Sequence, residues 1–101
     1  MTHVLKTIIV DDEALARRGL KLRLSTKENV EIIAEAKNGR EALKLISDHH
    51  PDLVFLDIQM PGIDGFEVLR QLPPEDMPVV VFVTAFDDYA IKAFEANALD
   101  Y

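Results

Sequence analysis

Three short apolar runs, separated by stretches of helical periodicity, constrain this chain more than any other feature. Ile8-Ile9-Val10, Leu53-Val54-Phe55-Leu56 and Val79-Val80-Val81-Phe82-Val83 are rich in β-branched residues and carry no charge. Runs of that kind predict strands buried on both faces of a parallel sheet. A mixed run, Val30-Glu31-Ile32-Ile33-Ala34, predicts a further strand nearer an edge. Between the strands the pattern lengthens. Ala16, Leu20 and Leu24 recur at i, i+4 and i+8 over Ala14 to Leu24, with Leu15 and Leu22 beside them and Arg17, Arg18, Lys21 and Arg23 at other angles, which predicts an amphipathic helix. A second helix is expected from Arg40 to His49 on Ala42, Leu43 and Ile46, after the turn at Asn38-Gly39 and before Pro51. Asp64 is suited to cap a third helix on Phe66, Leu69 and Leu72, which Pro73-Pro74 ends. Tyr89 to Ala96 reads as a fourth on Ala90, Ala93 and Phe94. Such alternation implies right-handed crossovers and an α/β fold, a parallel sheet with helices on both faces.

The length, 101 residues, suits one domain. Cysteine is absent, which rules out a disulfide framework or a thiolate metal site and fits a reducing cytoplasm. A net charge of −7 leaves no basic footprint for direct nucleic-acid binding by this chain. No apolar stretch approaches the roughly 20 residues of a membrane span, and the first residues lack the apolar core of a signal peptide. Ala98-Leu99-Asp100-Tyr101 reads as the start of a fifth strand, so the sequence is expected to be a domain cut short within that strand.

The chemistry lies where the apolar runs stop. The first ends in Asp11-Asp12-Glu13, the second in Asp57 and the third in the hydroxyl of Thr84. Ligands of open α/β sheets bind in the crevice at the carboxyl ends of the strands. If the first and third strands are neighbours, Asp11, Asp12 and Asp57 converge there, and Mg²⁺, a hard cation that prefers oxygen ligands, would relieve their repulsion. A carboxylate beside such a cation can act as a nucleophile toward a phosphoryl group, with Thr84 as a hydrogen-bond donor to it.

Asp11-Asp12-Glu13, Leu56-Asp57-Ile58-Gln59-Met60-Pro61-Gly62-Ile63-Asp64-Gly65 and Val83-Thr84-Ala85 together resemble the receiver domain of two-component response regulators. The resemblance covers essentially the whole chain, read as a receiver domain over residues 1–101 with no output domain. Thr84-Ala85-Phe86-Asp87-Asp88-Tyr89-Ala90-Ile91-Lys92-Ala93-Phe94-Glu95 looks most similar to the branch whose receivers control LytTR-type DNA-binding output domains. The resemblance implies a flavodoxin-like receiver fold, sheet order 2-1-3-4-5, lacking the end of strand five and the last helix. It implies that Asp57 accepts a phosphoryl group from a sensor histidine kinase, in a switch rather than an enzyme. Asp12 would be a direct Mg²⁺ ligand, Asp11 would act largely through water, and Gln59 would offer its backbone carbonyl. Thr84 would follow the phosphoryl group and Tyr101 would be the aromatic that reports activation. The family's strand-five lysine falls beyond Tyr101, which puts phosphorylation of this chain in question. Loss of the last helix would uncover an apolar strip, so a homodimer is expected, by swapped elements or stacked faces.

Plainer readings stand beside these. A single Asp at a strand end is ordinarily a turn or cap residue; Asp11, Asp12, Asp57 and Thr84 jointly favour a site. Glu13 reads as an exposed first-turn acid, Asp64 and Asp76 as a cap and a loop charge, and His49-His50 as partners of a helix dipole. Phe66, Phe82 and Phe94 read as core. The charges of the first helix read as a solvated face or a contact for a sensor kinase. Two other functions compete. An Asp-nucleophile phosphohydrolase wants a second acid two residues after the nucleophile, where this chain has Gln59. A phosphate-independent interaction module would need none of the acids.

Overall fold

The apolar runs do become strands. In the computed structural model, which describes residues 4–83, the elements in chain order are β1 (Leu5–Val10), α1 (Ala14–Leu24), β2 (Val30–Ala36), α2 (Gly39–His49), β3 (Leu53–Asp57), α3 (Gly65–Gln71) and β4 (Val79–Val83). One 3-10 turn, Pro74–Asp76, precedes β4. All neighbouring strands are parallel, in the order β2-β1-β3-β4. This is the described part of a flavodoxin-like sheet; the expected fifth strand and fourth helix lie outside the described residues. No helix among the described residues is long and apolar enough to cross a membrane.

Short polar side chains set the helix starts. Asn38 Oδ1 accepts the Glu41 N–H at 2.8 Å while Glu41 Oε1 accepts the Lys37 N–H at 3.0 Å, a near-reciprocal cap for α2. Asp64 Oδ1 accepts the Glu67 N–H at 2.9 Å and opens α3 as expected. At the far end of α2, His50 turns left-handed with φ 47°, and its N–H returns to the Ile46 carbonyl at 2.9 Å.

The sheet separates two cores. Ile8, Val10, Val54 and Leu56 meet Ala42 and Ile46 of α2, Val68 of α3, Met60 and Leu72 on one face. Ile9, Leu53, Phe55 and Val81 meet Leu20 and Leu24 of α1 on the other. Burying a side chain of this size stabilises by about 1.5–3 kcal/mol, so β1 and β3, buried on both faces, anchor the molecule. Thr7 is also fully buried, its hydroxyl donating to the Leu5 carbonyl at 3.0 Å.

Three side-chain placements differ from expectation. Leu15 and Leu22 are 80% and 67% exposed, because at about 3.6 residues per turn both fall on the far side of α1 from Leu20. Phe66 is 46% exposed, its ring 5.2 Å from that of the half-buried Phe82. Val68 of α3 and Leu72, the extended residue just after it, face the core, and Phe66 does not.

β2, at one edge of the described sheet, contains an irregularity. Thr7 pairs with Ile32 but Ile8 pairs with Ala34, so Ile33 is an extra residue in β2. A bulge of one residue reverses the alternation after it. Val30 and Ile32 accordingly pack on the α1 side, whereas Ala34 and Ala36 pack on the α2 side. Glu35 is left facing α1, where it meets Arg17 and Lys21.

Candidate functional site

β1 and β3 are adjacent, pairing Thr7 with Leu53 through Val10 with Leu56, and both end at the same edge of the sheet. The residues that follow therefore meet. Carboxylate oxygens of Asp11, Asp12 and Asp57 lie within 4.8 Å of one another. Asp57 is 4% exposed and Asp11 6%, while Asp12 reaches solvent. The convergence expected from the sequence is present, with one open side.

Backbone amides orient the two buried acids. Glu13 N–H donates to Asp11 Oδ1 at 2.9 Å, and Gln59 N–H donates to Asp57 Oδ1 at 3.2 Å. Neither bond offsets burial. Burial is the largest cause of a raised Asp11 carboxyl, with the Asp12 and Glu13 charges adding to it. Asp57 is pushed up to about 6, again chiefly by burial and next by the Asp11 charge, against the lowering effect of the Gln59 amide. Three oxygen donors that repel one another fit a hard cation, and the exposed side leaves space for its remaining water ligands. Of the expected ligands, Asp11, Asp12 and Asp57 are brought together. Gln59 sits at the rim with its side chain exposed and its amide on Asp57. Thr84 and Tyr101 lie outside the described residues, and so does the region on which the expected homodimer turns.

Two further residues shape the cluster. A Cβ on Gly65 would lie 2.6 Å from the Asp57 carbonyl oxygen and 3.0 Å from Ile58 Cα. Glycine thus lets α3 start directly against the end of β3, with Gly65 N–H on the Ile58 carbonyl at 3.0 Å. Its place in the turn-rich loop was visible in the sequence; the close approach was not. Arg17 donates from Nη1 to the Asp11 carbonyl at 2.8 Å and from Nε to Glu35 Oε1 at 3.1 Å. No local signal marked it among the four basic residues of α1.

The fold and the acid cluster define a flavodoxin-like α/β protein whose crevice, at the ends of its two central strands, is built from carboxylates. A family profile for the response regulator receiver domain matches residues 7–101. The chain belongs to that family. The transcriptional regulatory protein BtsR of Salmonella typhi is 50% identical over 98 residues, covering 97% of this chain and 41% of that protein. A response regulatory protein of Yersinia pestis is 54% identical over the same span and shares. The chain therefore spans about two-fifths of the length of these relatives. Among solved structures, the response regulator domain of Thermotoga maritima CheB aligns with a TM-score of 0.77 at 27% identity, over 97% of this chain and 76% of that one.

Proposed function

We propose that this receiver is a phosphorylation-controlled switch in which Asp57 is the phosphoacceptor. The observation that carries the reading is the meeting of Asp11, Asp12 and Asp57 within 4.8 Å, in a family whose receivers are phosphorylated by histidine kinases. Without a cation, burial and the Asp11 charge push the Asp57 carboxyl up to about 6, still below neutral pH, so the nucleophile is largely ionised there. Its carboxylate oxygen attacks the phosphorus of a phosphohistidine on a sensor kinase; the P–N bond breaks, the imidazole leaves and an acyl phosphate remains on Asp57. Asp12 and Asp57 would hold Mg²⁺ directly, Asp11 through water and Gln59 through its backbone carbonyl. Bound there, Mg²⁺ supplies positive charge against the phosphoryl oxygens. The Gln59 amide keeps Asp57 Oδ1 fixed, which orients the carboxylate for attack. Thr84 donates to the transferred group and Tyr101 responds to it, a local charge change acting on a two-state element.

The setting is the cytoplasm, and the chain acts as a switch rather than a turnover enzyme. Kinship to BtsR, a transcriptional regulatory protein, supports transcriptional output in the protein to which this receiver belongs. The Thr84–Glu95 stretch supports a LytTR-type DNA-binding domain for it. Intact mass after incubation with Mg²⁺ and a small acyl phosphate tests the core of the reading. The expected result is one added phosphoryl group, absent without Mg²⁺ and absent in Asp57→Ala. No gain in the wild-type chain moves the assay to a longer chain that includes the family's strand-five lysine, and no gain there transfers the reading to a phosphate-independent interaction module; gain that survives in Asp57→Ala removes Asp57 as acceptor.

A further inference from the structure

Asp11 is held at every polar point of its main chain and by one side-chain oxygen. Its N–H donates to the Ala36 carbonyl at 3.0 Å, its Oδ1 accepts from Glu13 N–H, and its carbonyl accepts from Arg17 Nη1 at 2.8 Å. Of these partners, only Arg17 is a side chain, and only Arg17 connects the cluster to an ion pair elsewhere. Its Nε rests on Glu35 Oε1 at 3.1 Å, and Lys21 Nζ takes the other Glu35 oxygen at 2.8 Å. The Arg17 side chain is 18% exposed and that of Glu35 31%. The fork spans α1, the β1–α1 junction and β2, with Arg17 half-buried at its inner end and Glu35 and Lys21 exposed at its outer end.

We infer that Arg17 is a positioning residue for the cation cluster: seated on Glu35, its guanidinium fixes the Asp11 carbonyl and so fixes how the Asp11 and Asp12 carboxylates face Asp57. The inference rests on the Mg²⁺ reading above and adds to it a device that the acids themselves do not contain. Partners that orient the ligands of a metal typically change its affinity by roughly 10-fold to 100-fold when removed. The sign separates this role from simple electrostatics. Arg17 is a cation beside a cation site, so deleting its charge would by itself tighten metal binding, whereas deleting its hold on Asp11 loosens it. The choice of ion separates it from general stabilisation. Mg²⁺ demands near-octahedral oxygens, while Ca²⁺ tolerates flexible and irregular sets, so loss of positioning weakens Mg²⁺ more than Ca²⁺.

The experiment is a titration of the 101-residue chain with Mg²⁺ and separately with Ca²⁺, followed by backbone amide shifts in NMR spectra that also report folding. Wild type is compared with Arg17→Met, Arg17→Lys and Glu35→Gln. The expected result is Mg²⁺ affinity lowered about tenfold or more in Arg17→Met, with a smaller loss for Ca²⁺. Lysine fails to restore it, since an ammonium cannot bridge the carbonyl and the carboxylate as a planar fork does. Glu35→Gln loses part of the effect through Arg17. Unchanged or tighter Mg²⁺ binding in Arg17→Met, or equal losses for both ions, overturns the inference. Should Arg17→Met not fold, Arg17→Lys decides alone: wild-type Mg²⁺ affinity overturns it. Failure of the wild-type chain to bind Mg²⁺ is a different outcome, which removes the metal reading and this inference with it.

Discussion

Asp57 ends a strand buried on both faces and meets two other carboxylates, so ionising it opposes folding. Its carboxyl is raised from 3.8 to about 6, which means that the folded chain holds a proton the unfolded chain has released across that interval. Stability then falls as pH rises through the window. Below about pH 4 this penalty is absent; above about pH 6 it is complete, on the order of 3 kcal/mol. Glu35 acts oppositely, its carboxyl being lowered chiefly by Lys21, and its contribution is lost only as pH falls through the carboxylate range. Asp57→Asn isolates the first effect. In EDTA it should melt above wild type at pH 7.5, with the gap closing toward pH 4; a gap that does not depend on pH would contradict the assignment. At this scale the three acids were legible because each follows an apolar run that reads as a strand. The titration of Asp57 was not, since it depends on burial that a sequence does not state. Arg17 was equally hidden, being one of four basic residues on one helix.

The elements announced their ends more clearly than their facings. Asn38, Asp64, Pro51 and Pro73 placed the helix boundaries to within a residue or so, because capping and proline act locally. Facing is decided by neighbours. Leu15 and Leu22 belonged to an apolar pattern by composition yet lie outward on α1, and Phe66 yields the core to Val68. The sequence placed β2 near an edge correctly, but its bulge depends on pairing with β1 and leaves no mark in composition. The α3 junction shows what such pairing costs in freedom. Gly65→Ala would drive a Cβ against the Asp57 carbonyl, which is backbone and cannot swing aside. The expected loss is about 1–3 kcal/mol, seen as a lower urea midpoint with an unchanged slope. A shift of the Asp57 amide resonance should accompany it, because α3 and the acceptor share that contact. Wild-type stability in Gly65→Ala would show that the junction has slack.

For the molecule as a whole, the cation site and the fold are one equilibrium. The acids sit at the ends of β1 and β3, the strands that join both cores, so a cation that binds only the folded chain stabilises all of it. At a hundred times its dissociation constant, Mg²⁺ should add about 2.7 kcal/mol, a rise in melting temperature on the order of 10 °C for a chain of this size. Asp12→Ala removes an exposed carboxylate, so its melting in EDTA should change little while the Mg²⁺ increment disappears. An increment that persists in Asp12→Ala would place the ion elsewhere. The sheet also treats changes of length unevenly. β1 and β3, and β3 and β4, pair in unbroken register, so dropping one residue inside β3 acts as a frameshift acts on a message and sends each later side chain to the wrong face. β2 already carries one letter too many at Ile33. Deleting that letter leaves Ala34, Glu35 and Ala36 in frame, with Glu35 still turned toward Arg17. Within the described sheet, the strand that seats the arginine is also the one that can lose a residue without losing its sense.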